Sequence, residues 1–223
     1  MSAERGKQAA GEAAVERVAS GMRLGLGTGS TVAFFLEELA RRDLDVAGLA
    51  TSEDTTRRCR ELGIRLLDPE DATHLDLAVD GADELTRDLV LTKGGGGALL
   101  REKVVASLAD HMVVVATSGK LVDRLAASFP LPVEVVPFAL PSVRDRLTAW
   151  GFEVTARSQG DYRTDNGNGI LDAHLPAGIE DPAGMEQRLT LVPGVVACGL
   201  FVGLAQCALL GSPDGDVTEL SSA

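Results

Sequence analysis

R-L-G-L-G-T-G-S-T-V-A-F-F-L-E-E-L, residues 23–39, reads as a short strand that enters a glycine turn and leaves it as a helix. Arg23 to Gly27 supplies the extended start. Ser30 is placed to cap the helix, where Val32, Phe35, Leu36 and Leu39 set an apolar stripe at i, i+3, i+4 and i+7. The N–H groups and macrodipole at such a helix start favour an anion, and Gly25, Gly27 and Gly29 allow close approach. Thr28, Ser30 and Thr31 add hydroxyl donors. A dinucleotide fingerprint would need a third glycine at position 30, which is Ser30, and the Walker A spacing is absent. A tight turn with a serine cap and no ligand is the plain alternative.

Working outward, residues 3–19 carry small apolar positions at helical spacing (Ala10, Ala14, Val18) and predict an opening helix. A strand over Asp45–Ala50 precedes Thr51-Ser52 and a helix that Gly63 ends. Ile64–Leu67 and Leu75–Val79 follow as strands, and His111–Ala116 is a continuous apolar run of the kind buried in a parallel sheet. Strands alternating with helices predict an α/β sheet with functional loops at the carboxyl ends of its strands.

The pattern changes at Phe129-Pro-Leu-Pro. Strand Val133–Phe138, helix Ser142–Trp150, strands Phe152–Ala156 and Gly169–Ala173, helix Pro182–Leu191 and strand Val195–Phe201 give the order βαββαβ. That is the split βαβ arrangement of a ferredoxin-like α+β domain. The tail from Gly203 holds two more short strand candidates that return to the first domain. The expected division is residues 1–128 with 203–223, and 129–202.

Formal charge is −12, from 21 basic and 33 acidic side chains, which argues against nucleic acid or an anionic membrane as partner. It leaves room for a small anionic substrate, which responds to the local field of its pocket. Cys59, Cys198 and Cys207 lack zinc or redox spacing and read as reduced, buried thiols. The N-terminus has no secretory apolar core, and no apolar run reaches membrane-spanning length, so a cytoplasmic location is expected.

The chemistry concentrates in K-G-G-G-G-A-L-L-R-E-K, residues 93–103. A bare four-glycine run costs backbone entropy and fills no core, so it is expected where main chain meets a ligand and N–H groups bind an anion. Glu102 lies about one turn into the following helix. Beside a glycine nest and Lys93, a partly desolvated glutamate suits a general base near neutrality. A solvated R-E-K cluster is the competing reading. Asp80 and Asp83, in V-D-G-A-D, end an apolar strand and suit hydrogen bonds to sugar hydroxyls, or simply cap a turn. With His74, His111 and His174 dispersed, they make a poor metal site. Lys120, in S-G-K-L-V-D, follows the His111–Ala116 strand to the same sheet edge, and Lys7 on the first helix is a more distant phosphate candidate.

With these residues in place, the chain resembles the A-type ribose-5-phosphate isomerases over nearly its full length. The shared blocks are G-L-G-T-G-S-T (25–31), D-L-A-V-D-G-A-D-E (76–84) and K-G-G-G-G-A-L-L-R-E-K (93–103). F-P-L-P-V-E-V-V-P-F-A (129–139), T-D-N-G-N-G-I-L-D (164–172) and V-P-G-V-V-A-C-G-L-F (192–201) complete them. The resemblance implies a Rossmann-like domain plus a ferredoxin-like domain, no cofactor or metal, and a homodimer or a dimer of dimers. It implies that Glu102 transfers the proton. Sugar-binding positions become Thr28, Gly29, Ser30, Thr31, Asp80, Gly81, Ala82, Asp83, Lys93, Gly94, Gly95, Gly96 and Lys120, with Lys7, Ser30 and Lys120 as phosphate candidates. No function is carried onto the charged loop Thr51–Thr56.

The expected reaction is aldose–ketose isomerisation of ribose 5-phosphate and ribulose 5-phosphate through a cis-enediolate. Three other readings stay open: a catalytically silent sugar-phosphate sensor, a nucleotide-dependent oxidoreductase using the first glycine loop, and an acyl-CoA transferase with Glu102 as nucleophile. A sensor predicts an attached partner module and a missing base, and the other two predict cofactor binding or CoA exchange.

Overall fold

The structure, a computed structural model, describes residues 2–221. In chain order the elements are α1 (Ser2–Val15), β1 (Arg23–Leu26), α2 (Ser30–Arg41), β2 (Ala47–Ala50), α3 (Glu53–Leu62), β3 (Arg65–Leu66) and β4 (Leu75–Asp80). Next come β5 (Glu84–Leu85), β6 (Leu91–Thr92), α4 (Leu99–Leu108), β7 (Ala109–Thr117), β8 (Leu131–Val135), α5 (Leu140–Ala149) and β9 (Glu153–Ala156). The chain ends with β10 (Gly169–His174), α6 (Pro182–Thr190), β11 (Val195–Cys198), β12 (Leu200–Phe201), β13 (Cys207–Gly211) and β14 (Val217–Ser221).

Two compact units emerge. The first holds the chain up to Ala82, Arg101–Lys120 and the residues from Gly203 on; the second holds Asp83–Leu100 and Leu121–Val202. The division expected from sequence put 83–128 wholly with the first part. Residues 83–100 and 121–128 instead cluster with the second unit, because β5 and β6 pair with β12 rather than with the large sheet.

In the first unit seven strands run in the order β14-β13-β7-β4-β1-β2-β3. All neighbours are parallel except β14, which pairs antiparallel with β13 at the edge. From β1 the chain builds outward through β2 and β3 on one side, and from β4 through β7 and β13 on the other. The order therefore reverses between β1 and β4, where Leu24 pairs with Leu77 and Leu26 with Val79. In open α/β sheets ligands bind outside the carboxyl ends of the strands at such a reversal. Here those ends carry Gly27 and Asp80.

Leu24, Leu26, Leu77, Val79, Val113 and Val115 join Val32, Phe35, Leu36 and Leu39 of α2 in one buried cluster, as the 3.6-residue stripe requires. Helix α1 is only weakly apolar and packs by close approach instead. A Cβ at Gly11 would stand 2.8 Å from the Phe35 backbone nitrogen and 2.9 Å from the Thr31 carbonyl oxygen. Ser30 opens α2 as its first residue rather than capping it, since Gly29, at φ 125°, occupies the cap position without a side chain. Ser52 does cap α3, accepting from the Thr55 amide, and Gly63 closes that helix in the left-handed region.

The second unit contains a four-stranded sheet in the order β11-β8-β10-β9, antiparallel throughout. With α5 and α6 it realises the βαββαβ reading. Val133, Val135, Val143, Leu147, Phe152, Leu171, Ala173, Leu189 and Val192 are buried in its core. The run Val195–Phe201, read as one strand, is two. Gly199 breaks it by donating to the Pro132 carbonyl at 2.7 Å and accepting from the Lys93 amide at 2.8 Å, so β12 leaves for the small sheet β12-β6-β5. The expected strand Val133–Phe138 stops at Val135, because Pro137 lacks an N–H and opens a tight turn over Pro137–Ala139.

Candidate active site

At the sheet reversal of the first unit, Asp80 is 3 % exposed and ties two loops together. Its Oδ1 accepts from the Thr28 amide at 3.1 Å and from the Gly81 amide at 2.7 Å. A Cβ at position 27 would overlap this carboxylate, which is why Gly27 is needed there. Thr28 Oγ1 lies 2.8 Å from the hydroxyls of Thr51 and Ser52 and 3.0 Å from that of Thr55. Thr55 in turn donates to the Gly27 carbonyl at 2.8 Å. The Thr28 side chain, expected as a ligand donor, is thus turned into a hydroxyl cluster that braces its loop. Gly29 and Ser30 remain exposed and Thr31 and Ala82 half-buried.

Glu102 is 5 % exposed in the first turn of α4. The solvated R-E-K reading therefore fails at the glutamate. Its neighbour Arg101 pairs at 2.8 Å with Glu53, whose carboxyl is held below its ordinary range by that hydrogen bond and charge. Lys120 ends the tight turn that follows β7, at the same carboxyl edge of the sheet as Asp80. Lys7 is half-buried on α1, directly after Gly6, which abuts the main chain of Gly211 and Ser212 at the end of β13.

In the second unit the Asp83 amide donates to the Thr92 carbonyl at 2.8 Å, and its carboxylate accepts from the Gly95 amide at 2.7 Å. A Cβ at Gly95 would stand 2.6 Å from the same carboxylate. Lys93 is 2 % exposed, with Nζ 5.4 Å from the centre of the Phe201 ring. The tetraglycine run is not the open nest of amides that its composition predicts. The Gly95 amide serves Asp83, and the Gly97 amide donates to the Gly94 carbonyl at 2.9 Å, closing a turn with Gly95 and Gly96 exposed at its tip.

Sequence reasoning missed several groups. Glu84, 2 % exposed, accepts from the amides of Ala126 and Phe129, both at 2.9 Å. Buried Glu134 accepts at Oε1 from Thr164, Asn166 and Asn168 at 2.9, 3.1 and 2.9 Å, which gives the T-D-N-G-N block a structural task. Arg157 grips Asp172 with two nitrogens at 3.0 and 2.5 Å, and Tyr162 donates to the Gly96 carbonyl at 3.3 Å. Burial works against the Arg157 charge, but the hydrogen bonds and charge of Asp172 outweigh it and hold the guanidinium above its ordinary pKa. Ser158 and Gln159, directly after it, adopt left-handed φ of 48° and 57°. For non-glycine residues this costs on the order of 1–3 kcal/mol each. No local sequence signal announces an Arg–Asp fork between residues 15 apart on separate elements.

The histidines stay dispersed. His74 pairs with Asp110 at the surface at 3.0 Å, His111 is exposed, and His174 meets the Ala127 carbonyl at 2.8 Å. Among the described residues no three His, Cys, Asp or Glu side chains gather as a metal-binding group, and no helix is long and apolar enough to cross a membrane.

Comparison with known proteins agrees with this framework. Residues 47–215 match the family described as ribose 5-phosphate isomerase A (phosphoriboisomerase A). The chain is 48 % identical over 219 residues to the ribose-5-phosphate isomerase A of Roseiflexus castenholzii, covering 95 % of this chain and 93 % of that protein. It is 42 % identical over 216 residues to that of Limosilactobacillus reuteri, covering 94 % of each. Among solved structures, ribose 5-phosphate isomerase A of Methanocaldococcus jannaschii superposes with a TM-score of 0.90 at 38 % identity, over 96 % of this chain and 97 % of that one. A D-ribose-5-phosphate isomerase in complex with phospho-erythronic acid superposes with a TM-score of 0.94 at 35 % identity, over 99 % and 100 %. Matched in sequence and in fold over most of its length, the chain belongs to the ribose 5-phosphate isomerase A family.

Proposed function

We infer that this protein interconverts D-ribose 5-phosphate and D-ribulose 5-phosphate, an aldose–ketose isomerisation of the pentose phosphate pathway. Within a chain of this family, the burial of Glu102 in the first turn of α4 carries the mechanism. An α-proton beside a carbonyl is weakly acidic, so the reaction needs a positioned base and a partner for the oxyanion that forms. Glu102 takes the proton from C2, the C–H electron pair becomes the C1–C2 double bond, and the carbonyl electrons move onto O1. Lys93 and the amides of Gly94 and Gly96 stabilise that cis-enediolate, the Gly95 amide being held by Asp83. A proton passes from O2 to O1, and Glu102 returns its own proton to C1.

Asp83 suits furanose opening and hydroxyl proton exchange better than Asp80. Asp83 is half-buried with one carboxylate oxygen on Gly95, whereas Asp80 is almost fully buried and already holds two amides. Gly29, Ser30, Thr31, Gly81, Ala82 and Lys120 contact the substrate, and Ser30, Lys120 and Lys7 hold its phosphate, which converts binding energy into orientation. Thr28 supports this loop through its hydroxyl cluster. No cofactor or metal takes part in these steps.

Glu102→Gln should keep the fold and the affinity for phospho-erythronic acid, an acid that carries a phosphate, while kcat falls by several orders of magnitude. Near-normal turnover in that variant would refute the assignment. The protein acts in the cytoplasm as a homodimer or a dimer of dimers, with no nucleic-acid partner. Phe138 and Leu191, 97 % and 82 % exposed in the second unit, support such assembly. Light scattering that returns a monomer mass at micromolar concentration would remove the oligomer.

A further inference from the structure

Arg157 lies 63 residues from Gly94 in sequence, yet its Nη1 donates to the Gly94 carbonyl at 3.1 Å and to the Gly95 carbonyl at 3.2 Å. Nε and Nη2 of the same guanidinium are already committed to Asp172. From the other side, the Gly95 N–H donates to Asp83. A trans peptide points its carbonyl and its N–H in opposite directions. The Gly94–Gly95 peptide is therefore held between a guanidinium at its oxygen and a carboxylate at its nitrogen. Both charges polarise it in the same sense, so each hydrogen bond strengthens the other. Tyr162 completes the brace: its hydroxyl donates to the Gly96 carbonyl, its ring lies 5.3 Å from the Arg157 guanidinium, and a Cβ at Gly97 would overlap it.

We propose that Arg157 is a positioning residue for the isomerisation, fixing Asp83 and the tetraglycine turn through the Gly94–Gly95 peptide. This rests on the isomerase reading given above. Four glycines in a row have no conformational preference strong enough to define a turn. Asp83 alone holds one amide and leaves the carbonyl side unrestrained. A planar fork with donors left over after its carboxylate partner supplies that restraint, whereas a lysine ammonium at the same place is a point charge without the fork.

The test begins with Arg157→Lys, which keeps a cation beside Asp172, and with the pair Arg157→Met and Asp172→Leu, which removes both charges and leaves neither buried alone. Turnover of ribose 5-phosphate, melting temperature and hydrogen exchange at the Gly95 amide are measured on the full chain. A misplaced catalytic group costs up to about a hundredfold. Both variants should lose about tenfold to a hundredfold in kcat/KM on that basis, mostly in kcat, and should exchange Gly95 faster while melting close to the parent. In an Asp83→Asn background the same Arg157→Lys change should cost less than about threefold, because coupled residues are not additive. A folded variant with kcat/KM within about twofold of the parent, unchanged Gly95 exchange, or full additivity with Asp83→Asn would overturn the proposal. An inactive parent chain would instead defeat the isomerase reading, and Gly95 exchange would still report whether Arg157 holds the turn.

Discussion

A single carboxylate, Asp80, shows how one side chain does structural work inside a candidate site. It accepts two amides while almost fully buried, so its loss strands two donors. Asp80→Ala should cost about 2–4 kcal/mol in urea unfolding, and Asp80→Asn much less, since the amide oxygen still accepts. The thiols offer a second check at this scale. Burial pushes Cys59 up to about 11 and raises Cys207 as well, and Cys198 is buried. At pH 8 none of the three should react with a thiol reagent in the folded protein, and all three should react in guanidinium. His174 supplies a pH signature. Its ring bonds the Ala127 carbonyl, with Glu153 adding charge, and its pKa lies above the ordinary value. The protonated ring is thus favoured by folding: its contribution is complete below about pH 6.5 and fades as pH rises through the raised folded value. An NMR titration of the ring, and a flatter stability–pH curve for His174→Gln, would check this.

At the scale of elements, α1 and α2 meet through a missing side chain rather than through bulk. Gly11 brings α1 against the Thr31 carbonyl and the Phe35 amide, at the start of the helix whose N-terminal turn is a candidate phosphate site. Gly11→Leu should destabilise by about 1–3 kcal/mol through overpacking. It should also raise KM for the sugar phosphate by displacing residues 29–31, which steady-state kinetics would show. The stretch Thr51–Thr56, expected as a loop but forming the cap and first turn of α3, belongs to this scale too. Read from sequence it carried no role, but its hydroxyls converge on Thr28 and its Ser52 caps α3. The reason it was illegible is geometric. Serine and threonine before a helix signal a cap at close range, and nothing local indicates a partner 23 residues earlier.

Across the whole molecule, neither unit is one continuous piece of chain. The first is assembled from three segments and the second from two. Glu84 lies in the earlier segment of the second unit and satisfies the amides of Ala126 and Phe129 in the later one. Residues 121–202 expressed alone should therefore lose that support along with β5 and β6, and give a poorly dispersed amide NMR spectrum. A dispersed, native-like spectrum would show that the later segment folds unaided.

The sequence by itself determined the class of both folds and the position of the acid–base candidate. Helical stripes such as Val32, Phe35, Leu36 and Leu39, and apolar runs such as His111–Ala116, express backbone periodicity, which is local and survives in any context. The tetraglycine run likewise marked its own importance, because such a costly segment persists only where something requires it. Only the tertiary structure decided which oxygen meets which amide: that Asp80 binds inward, that the Gly95 amide serves Asp83, that Val195–Phe201 divides at Gly199, and that Arg157 holds the glycine carbonyls from 63 residues away. Hydrogen bonds between distant segments depend on how packed elements orient their loops to within an ångström, and that orientation is a property of the assembled core rather than of any stretch of chain.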